Sequence, residues 1–321
     1  MKILRVKVLG VLLGAASMAW LSGAPVAEAQ NRVEGQTLVT ILPRQGTPAP
    51  PVTQSDLSVK LNGQQAAVTS WRPYPKDSKV ELVLLIDRNG SSNLARQFGD
   101  IEAFVKALPP NVWMAFAYMQ NGQSLFPASA SNQSPFSNQP LETLKGLHLP
   151  GGMPGGSASP YFCLSDLAKH WPSKDPEARR IVLAITDGVD PYHLEPDSDD
   201  PYMQAAIRDA VQARMVVYSI YWQSLWHRPA PGIDFSFIGQ NLMAQMVAGT
   251  GGKNFYQGMM NPVSFTSYFE ELTRRLENQY ELKFAATTRD KSGLESLKLK
   301  LRVANAEVTA PQSVWTTATE K

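Results

Sequence analysis

The stretch "VELVLLIDRNGSSNLARQF", residues 80–98, decides the fold. Its first seven residues are apolar except for Glu81, a run suited to a strand covered on both faces. The run stops on Asp87, which is followed by Asn89, Gly90, Ser91 and Ser92. A carboxylate at the carboxyl end of a buried strand lies where open α/β sheets bind their ligands.

The pattern repeats outward from that strand. "NVWMAFAYM", "RRIVLAI" and "RMVVYSIYW" are further apolar runs of strand length, separated by segments with helical periodicity, among them 94–107, 201–213, 239–248 and 264–279. Such alternation predicts a doubly wound, mostly parallel sheet over residues 80–280. Asn121-Gly122 predicts a hairpin turn into "QSLF". Phe265, Phe269, Leu272 and Leu276 recur at helical spacing and read as core. On either side the period falls to two. "TLVTIL", "LSVKLNG" and "QAAVTSW" within residues 30–79, and "YELKFAA" and "ESLKLKLRV" within 281–321, read as half-buried strands. Each set alone leaves an apolar face uncovered, so the two are expected to join in a small accessory β-sandwich, with the tail from Ala310 as a loose end or edge strand.

Residues 1–29 have the layout of a secretory signal: Lys2, Arg5 and Lys7, an apolar stretch to Leu21, and Ala27-Glu28-Ala29 before Gln30. The expected product is exported, periplasmic or secreted, with no stable membrane span after cleavage. Removing this segment takes three basic residues and one acidic one, so the formal charge of +2 falls to zero. That balance disfavours nucleic acid and anionic membrane as partners. Cys163 is the only cysteine, which excludes an intramolecular disulfide and a thiolate metal cluster and reads as a small buried hydrophobe.

Asp187 closes "RRIVLAITDGVD" as Asp87 closes its own strand. Two acids buried at neighbouring strand ends repel each other, and a divalent ion between them removes the conflict. Asp87, Asn89 and Ser91 put three oxygen-bearing side chains on alternate residues of one loop. With neither His nor Cys among them, the donors suit Mg²⁺, Mn²⁺ or Ca²⁺. Capping of a helix near Leu94 by Ser92 or Asn93, and a plain turn at Asp187-Gly188, are the simpler readings of the same residues.

The run from Asp87 to Ser91 resembles the first segment, DxSxS, of the metal-ion-dependent adhesion site of von Willebrand factor type A (VWA) domains. Thr186-Asp187-Gly188 matches the third segment letter for letter, and the stretch from "MVAGTGGKNFYQ" to "YFEELTRRLENQYELKF" looks most like the secreted VWFA-related Acidobacterial branch. By this resemblance Ser157 supplies the hydroxyl of the second segment, with Ser159 as alternative and Asp190 as a supporting group. Asn89 stands where the family has Ser, and Ser157 where it has Thr. The resemblance implies a non-enzymatic adhesion or assembly module, whose ion takes an Asp or Glu carboxylate from a partner protein. Trp226, His227 and Arg228 project on the same edge and are candidates for the partner-binding rim. A metal-free scaffold of the same fold is the alternative. A metal-assisted hydrolase is a third reading, without a His or Glu base near the loops. Oligomeric state is not legible in these residues.

Overall fold

The computed structural model describes residues 31–45, 51–88, 92–127, 134–149, 159–193, 200–224, 235–288 and 292–318. The expected signal segment lies outside them, as do Asn89, Ser91, Ser157, Trp226, His227 and Arg228.

The described elements are β1 (Asn31–Pro43), β2 (Leu57–Leu61), β3 (Gln64–Pro73), β4 (Val80–Asp87), α1 (Phe98–Ala107), β5 (Val112–Gln120), β6 (Gln123–Leu125), α2 (Pro140–Lys145), α3 (Pro160–Lys169), β7 (Arg179–Thr186), α4 (Pro201–Gln212), β8 (Met215–Tyr221), α5 (Phe235–Thr250), β9 (Asn254–Tyr256), α6 (Thr266–Glu277), β10 (Gln279–Thr288), β11 (Gly293–Leu301), β12 (Ala306–Thr309) and β13 (Ser313–Ala318).

Every residue of β4 is buried. Val83 and Leu85 face a core shared with Leu164 and Leu167 of α3, Ala206 of α4 and Leu242 of α5. Leu82, Leu84 and Ile86 face a second core with Ile101 of α1 and Phe269 and Leu272 of α6. Each buried aliphatic side chain contributes about 1.5–3 kcal/mol of apolar transfer, so the strand is fixed in depth and register. The sheet order is β6-β5-β4-β7-β8-β9. Pairings are parallel except β5–β6, an antiparallel hairpin turned by Asn121 and Gly122, both at positive φ as a type I′ turn requires. The sheet is therefore mixed.

The other body is a closed barrel. Its strands run antiparallel in the order β10-β3-β2-β11-β13-β1, and β1 also pairs with β10, which joins the ends. β12 pairs with the far end of β1, over Thr40 to Pro43. Val33, Val39, Val59, Leu282, Phe284, Leu297 and Val314 fill the interior. The expected class, a doubly wound mostly parallel sheet with an accessory sandwich, is corrected accordingly to a mixed sheet joined to a closed antiparallel barrel. Period-two alternation states that one face is buried, but a facing sheet and a curled one satisfy it equally. Closure depends on features outside the alternation. β1 is long enough to reach β10, β13 and β12, and β10 carries a register shift at Lys283/Phe284 against β3. Gly35 sits opposite Phe284, and a Cβ there would lie 2.4 Å from the ring, so only glycine admits the aromatic at that bend. The tail expected as a loose end or edge strand forms β13, paired on both sides between β11 and β1.

The helix expected to start near Leu94 is also corrected. Residues Ser92–Gln97 form a 3-10 segment, and α1 starts at Phe98 with Gln97 in the capping position and no side-chain capping bond. Among the described residues no helix is long and apolar enough to cross a membrane.

Candidate functional site at the carboxyl end of the mixed sheet

Parallel register places Ile86 beside Ile185, so Asp87 and Thr186 leave the sheet side by side and Asp187 follows at once. Asp87 is 4% exposed and Asp187 3%. Thr186 ties Asp87 to the turn that carries Asp187: its Oγ1 donates to Asp87 Oδ2 at 2.9 Å and accepts from the Gly188 amide at 3.2 Å. Asp187 Oδ1 accepts from the Val189 amide at 3.0 Å, a local turn that fixes the carboxylate. Gly188 has a φ of +75°, and a Cβ on it would stand 2.4 Å from Gly239 O of α5. A Cβ on Gly239 would in turn stand 2.4 Å from Asp187 O. Two glycines thus let α5 press directly on the backbone of the Asp187 turn.

Ser159 and Asp190 meet beside this turn. Ser159 caps α3, and its Oγ donates to Asp190 Oδ2 at 2.8 Å. Asp190 Oδ1 accepts from the Tyr192 amide at 2.8 Å. Burial pushes the Asp190 carboxyl above the usual carboxylate range, against the pull of these bonds. Tyr161, on the first turn of α3, donates its hydroxyl to Gly188 O at 2.8 Å. Asp200 caps α4 by accepting from the amides of Tyr202 and Met203.

The field at this end is negative. Burial raises the Tyr161 phenol well above its ordinary range, and Asp200, Asp190 and Asp187 raise it further. Burial, followed by the charge of Asp87, pushes the Cys163 thiol up to about 12, so Cys163 is an inert core group. The donors described there are hard oxygens, the type that suits Mg²⁺, Mn²⁺ or Ca²⁺. Among the described residues no three His, Cys, Asp or Glu side chains gather as a metal-binding group. Asn89, Ser91 and Ser157, expected from the sequence to add amide and hydroxyl oxygens, lie outside the described residues.

A surface loop that the sequence did not single out stands at the same end. Met259 is 87% exposed and Val263 97%, with Met260 and Phe237 also largely exposed. The loop is tied down despite these protrusions. Gln240 of α5 holds Gly258 through both amide groups, the Gln223 amide donates to Asn261 Oδ1, and Gln97 Nε2 donates to Val263 O at 3.1 Å. Gln97 belongs to the 3-10 segment after the Asp87 loop, and Gln223 follows β8, so the apolar tips are anchored to the strand ends. The available signal was "GMMNPV", adjacent methionines between turn formers.

No protein-family model matches the chain, and no curated protein sequence matches it. Solved structures similar to it include an aerotolerance-related membrane protein from Bacteroides fragilis, with 12% identity over 61% of this chain and 98% of that one, at a TM-score of 0.43. BatB from Bacteroides thetaiotaomicron shows 11% identity over 61% and 97%, at 0.40. The VWA domain of SpRpn10 shows 8% identity over 60% and 95%, at 0.38. VWA domains are therefore among the solved structures this chain resembles, and likeness at this level leaves the function to the residues of the site.

Proposed function

We propose that the chain is a protein-binding module of adhesion or assembly type. In this reading Asp87, Asn89, Ser91, Ser157 and Asp187 hold a divalent cation, and the partner supplies an Asp or Glu carboxylate. The observation that carries it is the Thr186 hydroxyl, which bonds buried Asp87 to the Gly188 amide of the turn that carries buried Asp187. Buried like charges are costly unless a cation or protons compensate them. The bound ion would supply an oxygen-seeking centre for the incoming carboxylate. The chain's own residues do the rest: Thr186 orients Asp87, the Val189 amide orients Asp187, and the anchored apolar tips give a partner surface to bury. Trp226, His227 and Arg228 complete the rim in this proposal, and export places the module in the periplasm or outside the cell.

The test is capture of exported proteins by the immobilised chain in Mn²⁺ and in chelator, with Met259→Ser/Met260→Ser beside the wild type. The expected result is capture that chelator abolishes and that the double substitution weakens about tenfold or more, the loss of one or two modest apolar anchors. Capture unchanged in chelator would favour the alternative, a metal-independent scaffold.

A further inference from the structure

Asp190-Pro191-Tyr192 and Asp200-Pro201-Tyr202 are the same three residues met twice, and both runs are folded in the same way. In each the aspartate is fully buried, and its Oδ1 accepts from the tyrosine amide at 2.8 Å. The proline between them fixes φ, so each acid holds its tyrosine in one short turn. Both rings then close on Phe162, in the first turn of α3. The Tyr192 and Phe162 centroids are 5.2 Å apart with 40° between the planes, and the Tyr202 and Phe162 centroids 4.7 Å apart with 71°. Neither contact is a parallel stack, in which two rings would cover each other's faces. Tyr192 stays 55% exposed and Tyr202 37%, over a half-buried Phe162. Residues 194–199, between the two runs, lie outside the described residues and are no part of this patch.

The charge behind the rings is negative. Neither carboxylate has a Lys or Arg partner among the described residues, and Asp200 Oδ2 makes no hydrogen bond. Burial lifts the Asp190 carboxyl, and the charge of Asp200 adds more to that rise than His193 takes away. Arg88, also at this end of the sheet, is held by Gln120 Oε1 at 2.6 Å. Because the two acids are fully buried they do not reach a ligand; they set the sign of the potential at rings whose faces are already negative.

From the paired turns, the exposed rings and the acids behind them, we infer that Tyr192, Tyr202 and Phe162 form a clamp for an arginine side chain of the partner protein, whose guanidinium stacks on ring faces. Phe162 follows Tyr161, whose hydroxyl bonds Gly188 O, so the clamp adjoins the turn of Asp187. The inference rests on the protein-binding function proposed above and deepens it, giving the partner a base beside its acid. Grip on the guanidinium itself needs no metal.

The whole chain is titrated by calorimetry in chelator with two acetylated, amidated tetrapeptides, one of arginine and one of citrulline, its uncharged isostere. Salt is kept at about 0.15 M, which screens charges more than about 8 Å apart. Saturable binding of the arginine peptide is expected, with the citrulline peptide weaker by about tenfold or more. Tyr192→Leu/Tyr202→Leu removes two ring faces from exposed positions and keeps every charge; it should weaken the arginine peptide about tenfold with the melting temperature retained. No binding of the arginine peptide up to about 10 mM would overturn the inference. So would equal binding of the two peptides, which needs no variant to detect, or arginine binding that the double substitution leaves unchanged. Since chelator is present throughout, arginine binding by a chain that fails to bind Mn²⁺ would uphold the clamp and sink the metal reading, and a Mn²⁺ site without arginine binding would do the reverse.

Discussion

Gly239→Ala is expected to destabilise the protein by about 3 kcal/mol, although alanine is the better helix former by about 1 kcal/mol. The two effects oppose each other, and distance decides between them. The added Cβ would stand 2.4 Å from Asp187 O and 2.8 Å from the Val189 amide nitrogen, both backbone atoms that no side-chain rotation can move aside. Either α5 retreats, uncovering apolar contacts of Leu242 and Met246, or the Asp187 turn shifts and loses its Val189 bond. Gly99→Ala is the control: it lies near the start of α1 with nothing within 4 Å of the added carbon. It should leave stability unchanged or raise it by up to about 1 kcal/mol. Urea unfolding of the two variants measures the difference.

Arg179→Met should cost a similar amount, about 3 kcal/mol, for the opposite reason: it removes donors instead of adding bulk. Leu276 O and Gln279 Oε1 lose the Nη1 bonds, whereas Ser78 O keeps the Asn111 side-chain amide at 3.0 Å. Two buried acceptors without donors account for the figure, at about 1–3 kcal/mol each, less the desolvation penalty that departs with the charge. The loss is local to the barrel–sheet junction. The Tyr74 amide, bonded to Gln279 O at 2.9 Å, should exchange faster with solvent hydrogen, while amides in the middle of β4 should change only with global stability. Arg179→Lys should recover part of the loss.

These two residues also mark what the sequence made legible. β4 and β7 could be read because both of their faces are covered, which writes a continuous apolar run, and their terminal acids stood out against it. The Phe265 to Leu276 spacing and the Asn121-Gly122 turn could be read because period and turn chemistry are local. Barrel closure was not legible: it rests on Gly35 meeting Phe284 about 250 residues away in sequence, which no local pattern encodes. Gly239 looks like any helical glycine until α5 is laid on the Asp187 turn. Arg179 reads as a charge before a strand and turns out to be buried at the junction. In the candidate site the sequence pointed to the acids, while Thr186, which bonds Asp87 to the turn of Asp187, was noticed only as part of the TDG motif. Met259, Met260 and Val263 were missed because an exposed apolar residue is common and becomes informative only once it is seen held in place.

The reading of the strand ends depends on side-chain oxygens there acting together on a cation. Calorimetric titration of the wild type and Asp87→Ala with Mn²⁺ and Mg²⁺, both folded by circular dichroism, tests this most directly. The account predicts a single saturable site in the wild type and none in Asp87→Ala; identical isotherms for the two proteins, or no binding by the wild type, would contradict it.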